Sequence, residues 1–149
     1  MTHSTDIHYG TRTGVLVYPI LTLVITLLGC GQPVGPERAR VSGTAHYDGR
    51  PIPYGEIKFS PDAELGGNGP QGQVFIVDGK FDTAKLDKGP VAGPHVVEIY
   101  GFDGIANEEV GPWGDPLFIP YTTKVTVSSG DSILEFSIPA GQKPVKAAY

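Results

Sequence analysis

The chain has 149 residues, 40% hydrophobic and 18% charged, with a formal net charge of -5. Its 21 glycines and 14 prolines disfavour long helices, while the apolar content is too high and the charge too low for a disordered chain. The mild acidic balance supplies no basic patch for nucleic acid.

The first element in chain order is an apolar run, Val15 to Leu28, without a single charge. It is shorter than the roughly 20 residues that span a bilayer, and it fits the apolar core of a secretory signal peptide. Leu27-Leu28-Gly29-Cys30 closes the run and Gly31-Gln32-Pro33 opens a polar stretch. That order resembles the lipobox of bacterial lipoproteins. The resemblance implies cleavage between Gly29 and Cys30, acylation of the Cys30 thiol, and attachment to a membrane of the bacterial cell envelope through the acyl chains. A buried core helix and an uncleaved anchor helix are the alternatives for the run. Cys30 is the only cysteine, so no disulfide can form within the chain. Residues 1–29 thus read as a leader in helical form, and residues 30–38 as lipidated cysteine plus a Pro/Gly tether.

Regular alternation begins at Ala39. Residues 39–47 place Val41, Gly43, Ala45 and Tyr47 against Ser42, Thr44 and His46, a half-buried strand. Asp48-Gly49 is a tight-turn signal, and Pro51 and Pro53 stiffen its exit. Residues 54–59 form the next strand, with Ile57 and Phe59 opposite Glu56 and Lys58 and with Tyr54 out of step. A Gly-rich loop, 60–70, leads to a strand at 72–77, a hairpin turn at Asp78-Gly79 and a return strand at 80–83. A loop over 85–93 precedes a strand at 94–101, with Val97 and Ile99 against Glu98 and Tyr100. Residues 102–120 carry no regular pattern. Strands at 121–128 and 132–138 flank a turn at Ser129-Gly130-Asp131, Pro139 ends the set, and residues 140–149 read as a flexible tail. Seven short alternating strands and no sustained helical period predict an all-β fold, a seven-stranded antiparallel sandwich over 39–139.

The motifs Val41-Ser42-Gly43-Thr44, Asp48-Gly49-Arg50-Pro51 and Asp78-Gly79-Lys80-Phe81 resemble carboxypeptidase regulatory-like domains, which are transthyretin-like (prealbumin-like) β-sandwiches. Ile119-Pro120-Tyr121, followed by Val125-Thr126-Val127, is similar to small planctomycete-type lipoproteins built on that domain. The resemblance implies a largely non-catalytic module for binding, adhesion or structural display, with a protein or glycan partner at the envelope. It carries over no cofactor.

Catalytic chemistry finds no foothold in the residues. His46 and His95 are not at metal-ligand spacing, His46 shares the parity of Ser42 and Thr44 and so faces solvent, and His95 caps the core edge. No nucleophile elbow, phosphate loop or calcium loop occurs, so no catalytic residue and no metal ligand is assigned. The transthyretin-like hydrolases end in Tyr-Arg-Gly-Ser, whereas this chain ends Lys146-Ala147-Ala148-Tyr149.

The segment 102–120 holds the sole tryptophan, Trp113. Structureless segments of that length are uncommon in compact domains and are often functional. Trp113, Phe118 and Tyr121 are the candidate ligand contacts, as an aromatic platform for a sugar or peptide. The alternative is a plug, in which Trp113 and Phe118 cover an open end of the fold.

Overall fold

The computed structural model describes Met1, residues 35–86 and residues 88–141. The apolar run, Gly29, Cys30, most of the tether and most of the tail lie outside the described residues. The chain divides into two units, Met1–Gly35 and Pro36–Tyr149, and the second is the folded domain described below.

The regular structure of the domain is almost entirely strand: β1 (Arg40–Tyr47), β2 (Arg50–Pro51), β3 (Tyr54–Pro61), β4 (Gly72–Val77), β5 (Lys80–Asp82), β6 (Gly93–Phe102), β7 (Tyr121–Val127) and β8 (Asp131–Ile138). Two single 3-10 turns, Ala63–Leu65 and Thr83–Lys85, are its only helical pieces among the described residues. Seven of the strands coincide with the alternating segments of the sequence. The eighth, β2, is a two-residue bridge to the end of β1. Both Asp-Gly turns take the left-handed conformation at both positions, with φ of 51° and 74° at Asp48-Gly49 and 49° and 72° at Asp78-Gly79. That geometry matches the right-handed twist of a hairpin.

All strands belong to one sheet. β1 pairs with β8 along its full length and shares its other edge between β5 and β2. The sheet continues through β4, β3 and β6 to β7. β7 and β8 therefore form its two outer edges, yet only Ser128–Gly130 separate them in sequence. A three-residue link between opposite edges requires the sheet to curl back on itself. Every pairing is antiparallel except β1 with β8, which is parallel. This pair approaches so closely at Gly43 that a Cβ there would collide with the Leu134 carbonyl.

The concave side of the curl holds the core. Ile57 and Phe59 of β3, Val97 and Ile99 of β6, Ile76 of β4 and Val41 of β1 are fully buried at period-two positions. Each contributes on the order of 1.5–3 kcal/mol by leaving water. His95 belongs to this inner row. It is 1% exposed and meets Phe59 edge-on, with ring centroids 6.4 Å apart. Its Nδ1 donates to the Gly93 carbonyl at 3.0 Å, while Nε2 has no hydrogen-bond partner among the described residues. It is thus part of the core itself rather than a cap on its edge.

Two cations, Arg40 and Lys124, tie distant parts of the sheet together through ion pairs. Arg40 grips Asp82 through both carboxylate oxygens, at 3.1 and 2.7 Å. This bond holds the Asp82 carboxyl well below its ordinary range, at about 2. Asp82 also caps the following 3-10 turn by accepting the Ala84 N–H. Lys124 of β7 reaches the buried Asp62 at 2.8 Å and Glu64 at 3.4 Å, and its hydrogen bond to Asp62 lowers that carboxyl's pKa.

Candidate functional site: the aromatic outer face

The segment between β6 and β7 is an ordered loop that closes on itself. Its organiser is Asp103, whose Oδ1 accepts the N–H groups of Ile105 at 2.9 Å and Asp115 at 3.1 Å. Its backbone N–H donates to the Asp115 carbonyl at 3.0 Å, and that of Gly104 donates to the Trp113 carbonyl at 3.0 Å. Further out, Asn107 and Gly111 exchange backbone bonds, and the Asn107 side chain accepts the N–H groups of Glu109 and Val110. Gly114, with φ of 81°, sits directly over Asp103, and a Cβ there would strike the carboxylate. Internal hydrogen bonds of this kind replace strand pairing as the source of order.

The knot holds Trp113 against the convex side of the sheet. Its ring lies 5.6 Å from that of Tyr54 at an interplanar angle of 25°, and 5.6 Å from that of Phe102 at 51°. Tyr54 in turn lies 6.1 Å from Phe75, also at 25°. Offset stacks at such distances add to burial energy. The result is a stepped ribbon of rings, Trp113, Tyr54 and Phe75, with Phe102 beside it. Trp113 remains 41% exposed. Tyr54 is in step with Glu56 and Lys58 after all, because Gly55 takes the inward position.

Phe118 occupies a different place. It is 3% exposed, packs on Tyr47 with centroids 5.0 Å apart, and lies over Gly101 in the core. Tyr121 is half-buried on the inner face, paired with Ile99 and packed against the core. The three aromatics singled out in the sequence therefore do not share a surface. Trp113 is joined instead by Tyr54, Phe75 and Phe102. The signal for these partners was an aromatic ring at an outward position of an alternating strand, where a polar residue is the norm.

Polar groups border the ribbon. Glu56 lies across from Phe75 on β4 and Tyr100 on β6. Its carboxylate accepts a hydrogen bond from Gln73 and pairs with Lys58 at 3.7 Å. The Lys58 ammonium also sits 4.8 Å from the centre of the Tyr100 ring. Beyond Phe75 the sheet splits. β4 meets β5 only at Val77 and Lys80, and the chain rejoins β4 where the Lys88 carbonyl accepts the Gln73 N–H at 2.9 Å. The bulge between opens a cleft of about 730 Å³ lined by Val74, Phe75, Phe81, Leu86, Ser42 and Thr44, among others.

His46 is partly exposed on β1. Among the described residues no group of three or more His, Cys, Asp or Glu converges on a point where a metal ion could sit, and no helix is long and apolar enough to cross a membrane.

No family model matches the sequence, and neither a curated protein nor a solved structure shows significant similarity to it.

Proposed function

We propose that the chain is a non-enzymatic binding or display module of the bacterial cell envelope, a transthyretin-like β-sandwich held at a membrane through an acylated Cys30. The supporting observation inside the domain is the separation of the Trp113 loop from the chain's entry. The chain enters the sheet at Arg40, the start of β1. Trp113 packs on Tyr54, which follows the turn at the far end of β1. Through the register Tyr54–Val77–Lys80–Thr44, Tyr54 lies level with Thr44, about 13 Å along β1 from Arg40. The Trp113 loop therefore sits apart from the residue at which the chain enters the sheet.

The anchor is tested by comparing the full chain with Cys30→Ala in a bacterial host. The wild type should partition with membranes and carry the mass of acyl chains on a chain that begins at Cys30. A variant that partitions and weighs the same as the wild type would refute lipidation.

A second reading, a carbohydrate-binding accessory module that uses the 102–120 loop, is favoured by the exposure of Trp113 on an ordered support.

A further inference from the structure

We infer that the convex face of β4, β3 and β6 is a glycan-binding face, and that its ligand is a neutral polysaccharide chain laid along Trp113, Tyr54 and Phe75. The inference deepens the carbohydrate-binding reading and rests on it.

Three observations carry it. First, the rings form a row rather than a patch: Trp113 stacks on Tyr54 and Tyr54 on Phe75, each pair at an interplanar angle of 25°, so the row offers ring edges along its length and the half-exposed Trp113 at its end. Sugar rings present C–H faces that pack on aromatic surface, and a chain of them needs a continuous row of it to follow. The loop knot at Asp103 fixes the exposed member of that row before any ligand arrives, which lowers the ordering cost of binding.

Second, the charges beside the row are already spent on one another. Lys58 is engaged by Glu56 and by the Tyr100 ring, and Glu56 also holds Gln73. A face of this kind offers hydroxyl groups fixed donors and acceptors at its border. Among the described residues the ring row itself carries no unpaired cationic cluster for an anionic polymer. The cleft beyond it carries as many acidic residues (Asp78, Asp82) as basic ones (Lys80, Lys85), and this balance lowers the electrostatic steering available to a charged partner.

Third, the row continues into a recess. Phe75 forms a wall of the cleft where β4 and β5 separate, and Ser42 and Thr44 supply hydroxyls on its opposite wall. A chain following the rings past Phe75 enters a site with apolar sides and hydroxyls, bordered by Asp78, Asp82, Lys80 and Lys85.

The test uses the full chain in detergent and three soluble probes: a neutral β-glucan, a neutral α-glucan and polygalacturonate. Trp113 is the only tryptophan, so its fluorescence reports on the proposed site directly. Saturable change with a neutral glucan, insensitive to salt, is the expected result. Phe75→Ala should then weaken binding at least tenfold, Trp113→Ala should abolish retardation in a glucan-containing native gel, and Ile133→Ser, on a remote exposed position of β8, should leave both unchanged. Circular dichroism of each variant excludes loss of fold as the cause. Binding of polygalacturonate alone would overturn the neutral-ligand inference and leave carbohydrate binding standing. Glucan binding that survives Phe75→Ala and Trp113→Ala would overturn the face. No response to any of the three would overturn this inference and the carbohydrate-binding reading together.

Discussion

The carboxylate of Asp103 hydrogen-bonds the backbone N–H of Asp115, twelve residues further along the chain, at 3.1 Å. The same oxygen takes the Ile105 N–H, so a single atom fixes both ends of the loop that carries Trp113. Asp103→Ala should cost about 1–3 kcal/mol, from two lost hydrogen bonds at roughly 0.5–1.5 kcal/mol each. It should also shift the Trp113 emission to longer wavelength as the ring leaves Tyr54. Asp103→Asn keeps an accepting oxygen and should change neither quantity appreciably. Equal red shifts in the two variants would show that charge, not the hydrogen bonds, holds the loop.

Phe118 and Trp113 should separate sharply in stability measurements. Phe118 is a buried core side chain, and its truncation to Ala should cost about 3–4 kcal/mol. Trp113 is nearly half exposed, and Trp113→Ala should cost under about 2 kcal/mol. Urea denaturation followed by far-ultraviolet circular dichroism reads both. A reversed order would mean that Trp113, not Phe118, closes the end of the fold.

Gly43→Ala attacks the parallel contact between β1 and β8. The added Cβ meets the Leu134 carbonyl, which is backbone and cannot swing away. The expected loss is about 2–3 kcal/mol or more. Hydrogen exchange should rise over Asp131–Ile138 before it rises over β3 and β6. Uniform loosening of the whole sheet would show that β8 is not an independent weak point.

The Arg40–Asp82 pair sets an acid limit. The folded Asp82 carboxyl is depressed to about 2, below its ordinary value near 3.9. A group depressed in the folded state binds its proton more readily after unfolding, so its stabilisation is full above the unfolded pKa. It fades as pH falls from about 4 toward 2. Because the Arg40 side chain is 51% exposed, solvent and salt weaken the effect. Arg40→Ala should raise the Asp82 pKa toward the usual range in a carbon-detected titration and move acid unfolding to higher pH. An unmoved Asp82 titration would leave the Ala84 N–H as the dominant partner.

His95 leaves one nitrogen without a partner among the described residues, inside the core. His95→Phe keeps the ring against Phe59, removes that unsatisfied atom and frees only the half-buried Gly93 carbonyl. The variant should be neutral or up to about 1 kcal/mol more stable by chemical denaturation. A loss above about 2 kcal/mol would mean that the Gly93 bond shapes the start of β6.

The alternation of Val41 with Ser42, or of Ile57 with Lys58, is a local signal, and it was sufficient to locate the strands and their inward faces. Partnership is not local. Nothing within residues 40–47 says that β8 will lie parallel beside them, because the reason, the missing side chain at Gly43, acts only once Leu134 is near. The candidate site was legible in part for the same reason. Trp113 stood out by its rarity, but its neighbours Tyr54, Phe75 and Phe102 come from three strands that only the folded register brings together. The loop's order was hidden because Asp103 before a glycine looks like any turn residue, and its second partner lies twelve residues away.

The pairing of the first strand with the last also has a kinetic meaning. During synthesis β1 emerges first, and the strand that covers its full outer edge emerges after every other element. Until then the β1 edge is open to any other extended chain, the condition under which sheets aggregate. Closing a loop that long is slow relative to forming the local hairpins. The last eight residues of the sheet thus act as the completion step for the domain.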